Sequence, residues 1–187
     1  MIDLTLDYLS NSGTIAILVL FILSFYFIVI FSIFIYRFTL LNKLIKDEKK
    51  ALDILVSGDE SQKRLSKLNQ CVGCANISKE LLNACEISLI REASSSISWL
   101  SIISSTAPFI GLFGTVVGIL ESFAKFSSQS KVSFSIIAPA ISEALVATAA
   151  GIFVAIFAYT FHQLITRKIY ELNTYIKAQS EILLLKG

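Results

Sequence analysis

The sequence predicts an all-α integral membrane protein with three transmembrane helices. Of its 187 residues 55% are hydrophobic and only 16% are charged, and the mean hydropathy is +0.73. Three runs without a charged residue cover residues 8–36, 93–120 and, with His162 taken as neutral, 144–166. Each run exceeds the roughly 20 residues that a helix needs to cross about 30 Å of hydrocarbon. We therefore expect three membrane spans.

The basic residues are distributed unevenly around these runs. Of the sixteen, none precedes the first run, ten lie between the first and the second, two lie near the connection between the second and the third, and four follow the third. The positive-inside rule then places the N-terminus outside and the C-terminus in the cytoplasm. The first run is longer than the h-region of a signal peptide, and no basic residue precedes it, so we expect a retained anchor.

Helical periodicity and breaker residues predict seven segments. These are a short periplasmic N-terminus (1–13), transmembrane helix 1 (14–36), a cytoplasmic helical segment (37–100), transmembrane helix 2 (101–126), a periplasmic turn (127–136), transmembrane helix 3 (137–166) and a cytoplasmic helical tail (167–187). Because Gly and Pro are missing between Ser78 and Pro108, we expect one unbroken helix from the cytoplasm into the second span. The third helix is expected to start beside Pro139, a residue favoured in a first turn, and to reach about Leu185. Helices 2 and 3 thus extend into the cytoplasm.

Composition and motifs exclude several classes of function. A net charge of +2, with acids interspersed among the bases, does not indicate a nucleic-acid partner. Cys71, Cys74 and Cys85 fall in the expected cytoplasmic segment, where thiols stay reduced, so no disulfide is expected. The Cys71/Cys74 pair lacks the further ligands of a zinc site, so neither a metal nor a cofactor is expected. Without a phosphate loop, HExxH, GxSxG or Cys/His pair, we expect no enzyme.

Small residues recur every three or four positions in the second and third spans. The stripes consist of Ala107, Gly111, Gly114 and Gly118 in the second span and of Ala144, Ala147, Gly151 and Ala155 in the third. In lipid such stripes allow the backbones of two helices to approach closely. The two spans are therefore expected to pack tightly, either on each other as a simple hairpin or around the axis of an oligomer.

Four polar side chains in or beside these spans are candidates for a proton path. Thr115 and Thr148 each lie eleven residues from the turn that joins the spans, so both hydroxyls are expected at the same depth, on the order of 15 Å inside. Each hydroxyl could instead bond to the carbonyl four residues earlier in its own helix. Glu143 is either a proton site or a partner of the helix dipole. His162 is a candidate cytoplasmic exit group or, more commonly, an interfacial anchor.

Two stretches carry a family resemblance that covers residues 101–169. Residues 104–119 read SSTAPFIGLFGTVVGI and residues 137–151 read IAPAISEALVATAAG. They resemble the ExbB and TolQ subunits of proton-driven envelope motors, a family that includes the flagellar stator protein MotA. The resemblance implies a homopentameric ring in the bacterial inner membrane, with Thr115, Glu143 and Thr148 lining or flanking the proton path.

The same resemblance implies partners and a role. An ExbD-like or TolR-like single-span dimer would sit inside the ring and supply the proton-accepting aspartate. A TonB-like or TolA-like protein would carry the work to the outer membrane. Because about a dozen residues precede the first span, the TolQ type is favoured, with a role in Tol-Pal envelope maintenance and cell division. The alternatives are an ExbB that drives import of iron-siderophores or vitamins and, from another class, a membrane scaffold that conducts no ions.

Overall fold

The computed structural model describes residues 14–57, 66–72, 78–127 and 134–186. Every element within these ranges is a helix: α1 Thr14–Ser57, α2 Lys67–Val72, α3 Lys79–Ser94, α4 Ile97–Ser127 and α5 Phe134–Lys186. The expected periplasmic N-terminus, residues 128–133 of the expected turn, and Cys74 lie outside the described residues.

Three of the helices are long and apolar enough to cross a membrane. The stretches concerned are Ile15–Ser57, Ile97–Ala124 and Ile141–Leu185, which confirms the prediction of an all-α protein with three span-forming helices. The last of these helices, α5, has 53 residues without a break and is therefore about 80 Å long. It begins at Phe134, so Pro139 stands in its second turn and not in the first turn as expected.

The prediction of one unbroken helix from Ser78 into the second span is wrong. A turn at Ser95 and Ser96 separates α3 from α4. Serine side chains compete with the helical backbone for hydrogen bonds, and this run of serines weakens the helix. The guanidinium group of Arg37 donates to the hydroxyls of both serines and to the carbonyl of Glu92. The break is therefore stabilised by a side chain from α1, which the local sequence does not reveal.

The described residues divide into two compact units. The span unit consists of residues 14–31, 99–127 and 134–160, and the connector unit of residues 32–57, 66–72, 78–98 and 161–186. In the span unit, α1 packs on α5 through aromatic rings, with Phe27 at 6.0 Å from Phe153 and 5.8 Å from Phe157 between centroids. Such pairs contribute about 0.5–1.5 kcal/mol each beyond the area that they bury.

In the connector unit the short helix α2 packs against α3. Leu68, Val72 and Leu82 are buried in this unit, and a disulfide joins Cys71 to Cys85. The prediction that the cysteines are unpaired is thus wrong for these two. That prediction was based on the compartment in which the cysteines were expected. The packing of α2 on α3 places the Cα atoms of Cys71 and Cys85 6.0 Å apart, a separation that a disulfide can bridge.

A buried polar cluster in the connector unit links α1, α5 and the start of α2. Glu48, Ser66 and Gln179 are each at most 1% exposed. One carboxylate oxygen of Glu48 lies 2.7 Å from Ser66 Oγ and 2.9 Å from Gln179 Nε2, and the other accepts from the backbone N–H of Lys67 at 2.8 Å. Burial of a carboxylate is tolerable only with such donors. We call these three residues the Glu48 cluster.

Replacing Glu48 by alanine is expected to destabilise the connector unit by about 3 kcal/mol or more, because it leaves the donors on Ser66, Lys67 and Gln179 without their acceptor. Thermal unfolding of the full chain in detergent measures the loss. The matched variant is Asp53→Ala, which removes an exposed carboxylate from the same helix and should change stability by less than about 0.5 kcal/mol. Equal losses in the two variants would contradict a stabilising role for the cluster.

Candidate functional site

Helices α4 and α5 cross at two glycines in the span unit. A Cβ atom placed on Gly111 would lie 2.6 Å from the carbonyl oxygen of Ala147, and one placed on Gly151 would lie 2.6 Å from that of Ala107. Both distances are shorter than a Cβ atom can tolerate, and both involve backbone atoms. Because only glycine lacks a Cβ, this closeness depends on the glycines at positions 111 and 151.

The remaining small residues surround this crossing. Ala107, Ala144 and Ala147 are buried. An added Cβ on Gly114 would lie 3.0 Å from a methyl group of Val19 on α1, whereas one on Gly118 would lie 3.3 Å from the Cβ of Ala144. Within one chain, therefore, the two predicted stripes pack on each other. Ala155 is only half-buried and lies at the margin of the packed stripes.

Thr115 and Thr148, here called the hydroxyl pair, lie beside the crossing. Their Oγ1 atoms are hydrogen-bonded to each other, which confirms the predicted shared depth. Thr115 Oγ1 also lies 3.1 Å from the carbonyl oxygen of Ala144 and 3.3 Å from that of Gly111. The contact with Gly111 is the bond to a carbonyl four residues earlier in the same helix, which was the alternative prediction for Thr115. Thr115 makes both kinds of contact.

The chemistry of the hydroxyl pair follows from its donors and acceptors. Each hydroxyl has one proton to donate and two lone pairs to accept with. Both protons are used if Thr148 donates to Thr115 and Thr115 donates to the carbonyl of Ala144. Thr115 is 8% exposed, whereas Thr148 is only half-buried. Thr148 is thus the more exposed member of the pair, and its oxygen has lone pairs left to accept a further hydrogen bond.

Glu143 and His162, the other candidates for the proton path, lie elsewhere on α5. Glu143 is half-buried on α5, five positions before Thr148, and five residues rotate by about 140° around a helix. Glu143 and Thr148 therefore occupy different faces of α5. His162 is half-buried and belongs to the connector unit. The structure therefore brings the two threonines together and places Glu143 on another face of α5.

The span unit also exposes large apolar side chains. On α4 and α5 they include Phe109, Phe113, Leu120, Leu145, Phe153 and Ile156. A helix that is apolar on its exposed side as well as on its packed side is typical of a membrane span. Such a surface is stable against lipid tails or against the apolar face of another helix.

Several features were missed by the analysis of the sequence. Val19 contacts Gly114. The first span is almost entirely apolar, so its sequence does not show which of its residues makes this contact. Glu48 and Gln179 lie among charged and polar residues of long helices, so their burial has no signal in the sequence. A pairing among the cysteines could have been suspected, because all three lie in one segment.

Comparison with known proteins agrees with these observations. Residues 60–178 match the MotA/TolQ/ExbB proton channel family. An ExbB-like biopolymer transport protein of Helicobacter pylori is 39% identical over 185 residues, which cover 98% of both chains. The Tol-Pal system protein TolQ of Haemophilus influenzae is 29% identical over 81% of this chain and 79% of its own length. The biopolymer transport protein ExbB of Pseudomonas putida is 41% identical over 51% of this chain and 29% of its own length. The chain therefore belongs to the MotA/TolQ/ExbB proton channel family.

Proposed function

We propose that this chain is the proton-channel and stator subunit of an inner-membrane motor that uses the proton motive force to energise outer-membrane processes. The observation that carries the proposal is the hydroxyl pair at the crossing of two apolar helices. A hydroxyl group can accept one hydrogen bond while it donates another, which is what the relay of a proton requires. The polar atoms also lie among apolar side chains, where polar groups commonly mark an ion pathway.

The proposed assembly is a ring of five copies, with the connector unit in the cytoplasm. The charge distribution supports this orientation, and the exposed apolar faces of α4 and α5 supply surface for neighbouring copies. Inside the ring, Thr148 faces a dimer of an ExbD-like or TolR-like single-span protein, which supplies the carboxylic acid that takes up the proton. A TonB-like or TolA-like protein then transmits the work.

Between the two branches of the family we favour the ExbB type. The support is the similarity to the ExbB-like protein of Helicobacter pylori, 39% over 98% of both chains. The second candidate is the TolQ type, and it is supported by the match over 81% of this chain to a TolQ. Deletion separates the two, because the ExbB type predicts impaired growth on siderophore-bound iron and the TolQ type predicts a leaky outer membrane.

Replacing Glu143 by glutamine tests the proposed proton path. Glutamine keeps the size of the side chain but cannot ionise, so we expect motor-driven transport to fall by about tenfold or more. The assembled ring should be retained. The measurement is uptake of siderophore-bound iron in cells, together with the mass of the purified complex with its partner.

The matched control is Glu121→Gln, which neutralises a half-buried acid on α4 that has no role in the proposed path. Its transport should stay within about twofold of the unmodified protein. If transport in the Glu143 variant were unchanged, the chain would be better described as a membrane scaffold that conducts no ions. Equal loss in both variants would remove the assignment of the path to Glu143.

A further inference from the structure

We propose that Cys71 and Cys85 form a reversible thiol–disulfide modification site, by which the glutathione pool controls how firmly α2 is held. The disulfide is present in the structure, and it lies in the connector unit. The inference rests on the cytoplasmic orientation proposed above, and not on proton conduction. Disulfides in a reducing compartment are usually transient and serve in catalysis or redox sensing.

The first argument is the size of α2. It has six residues, too few for a helix to be stable by its own hydrogen bonds. At its start, Ser66 accepts from the backbone N–H of Leu68 at 3.1 Å and lies within the Glu48 cluster. At its end, Cys71 is bonded to Cys85 of α3. The helix is thus tethered at both ends, and only the second tether is covalent.

The second argument is the accessibility of the two sulfur-bearing residues. Cys71 is exposed, whereas Cys85 is 3% exposed. Cys71 is therefore the residue of the pair that a small thiol or disulfide can approach from solution, while Cys85 is shielded. This asymmetry is the arrangement of an attacking residue and a resolving residue.

The exchange reaction is balanced with glutathione as the co-reactant. The thiolate of Cys71 attacks a sulfur of glutathione disulfide, and one glutathione thiolate leaves. The thiolate of Cys85 then attacks the sulfur of Cys71, and the second glutathione thiolate leaves. Two protein thiols are oxidised to one disulfide, while one glutathione disulfide is reduced to two thiols. The reverse sequence, which begins with attack of glutathione on Cys71, opens the disulfide.

The test uses the full chain in a Cys74→Ser background, so that only one disulfide can form. The purified protein is equilibrated with mixtures of reduced and oxidised glutathione, its free thiols are blocked with a maleimide polymer, and the shift on a gel is measured. We expect the pair to be reduced at the most reducing ratio and oxidised at the most oxidising one. Hydrogen exchange of the α2 amides should slow by at least about tenfold on oxidation.

Three results would overturn the inference: a disulfide that persists in excess reduced glutathione, thiols that never pair, or pairing that leaves exchange in α2 unchanged. The control variants are Cys71→Ser and Cys85→Ser, in which no disulfide can join α2 to α3, so the exchange of the α2 amides should not slow in oxidised glutathione. A separate measurement labels Cys71 in reduced cells with a maleimide that cannot cross membranes. Labelling from outside intact cells would contradict the proposed orientation, while the glutathione titration reports on the exchange itself.

Discussion

Replacing Gly151 by alanine is expected to separate α4 from α5 and to destabilise the span unit by about 2 kcal/mol or more. The added Cβ would lie 2.6 Å from the carbonyl oxygen of Ala107 and 3.0 Å from the Cα of Gly111. These are backbone atoms of a membrane helix, so they cannot move aside as the end of a side chain can. The measurements are thermal unfolding of the full chain in detergent and its level in the membrane.

The matched control is Gly118→Ala, at the end of the facing stripe on α4. There the new methyl group would meet only the Cβ of Ala144 at 3.3 Å and its Cα at 3.9 Å, which a small shift accommodates. We expect the control to lose less than about 0.5 kcal/mol. If Gly118→Ala were as damaging as Gly151→Ala, close packing at one crossing point would not be the reason for the stripe.

Replacing Thr148 by valine is expected to reduce motor-driven transport by about tenfold or more, while the protein folds and assembles. Valine has nearly the same shape but cannot exchange a proton, and a lost hydrogen bond to a relay group costs about 1–3 kcal/mol. The cost in stability is small, because Thr115 still reaches the carbonyls of Gly111 and Ala144. A hydrogen bond between membrane helices contributes about 0.6 kcal/mol on average.

Thr148→Ser is the informative companion, since it keeps the hydroxyl and removes only a methyl group. Transport by the serine variant should stay within about threefold of the unmodified protein, whereas melting temperatures of the valine and serine variants should be similar. The measurements are iron uptake in cells and the melting temperature in detergent. Should the valine variant transport normally, the hydroxyl pair would be a packing contact and no part of a proton path.

The span unit was the part most predictable from the sequence. Long uncharged runs are required of any helix in hydrocarbon, so the three span-forming helices followed from composition and length alone. The small-residue stripes predicted close helix packing, either of α4 on α5 or around the axis of an oligomer, and equal distances from the turn predicted that Thr115 and Thr148 share a depth. The sequence did not reveal which glycines form the crossing. Gly114 and Gly118 form the GxxxG motif, but the closest backbone contacts are at Gly111 and Gly151.

The connector unit was much less predictable. Its helices are amphipathic and charged, and such a pattern is compatible with many pairings. The break at Ser95 depends on Arg37, which is 58 residues away in the chain. Gln179 meets Glu48 across 131 residues. Contacts of this separation leave no local signal, so helix periodicity predicted neither the break nor the cluster.

The amino-acid sequence was sufficient to predict three helices able to span a membrane, the residues that are small enough for close packing, and the family that the chain resembles. These properties depend on hydrophobicity and residue size, which each position carries independently of its neighbours. The folded chain was needed to show that Thr115 bonds to Thr148, that Glu48 is buried, and that Cys71 pairs with Cys85. Those contacts depend on the relative placement of helices, which is determined by packing over the whole unit.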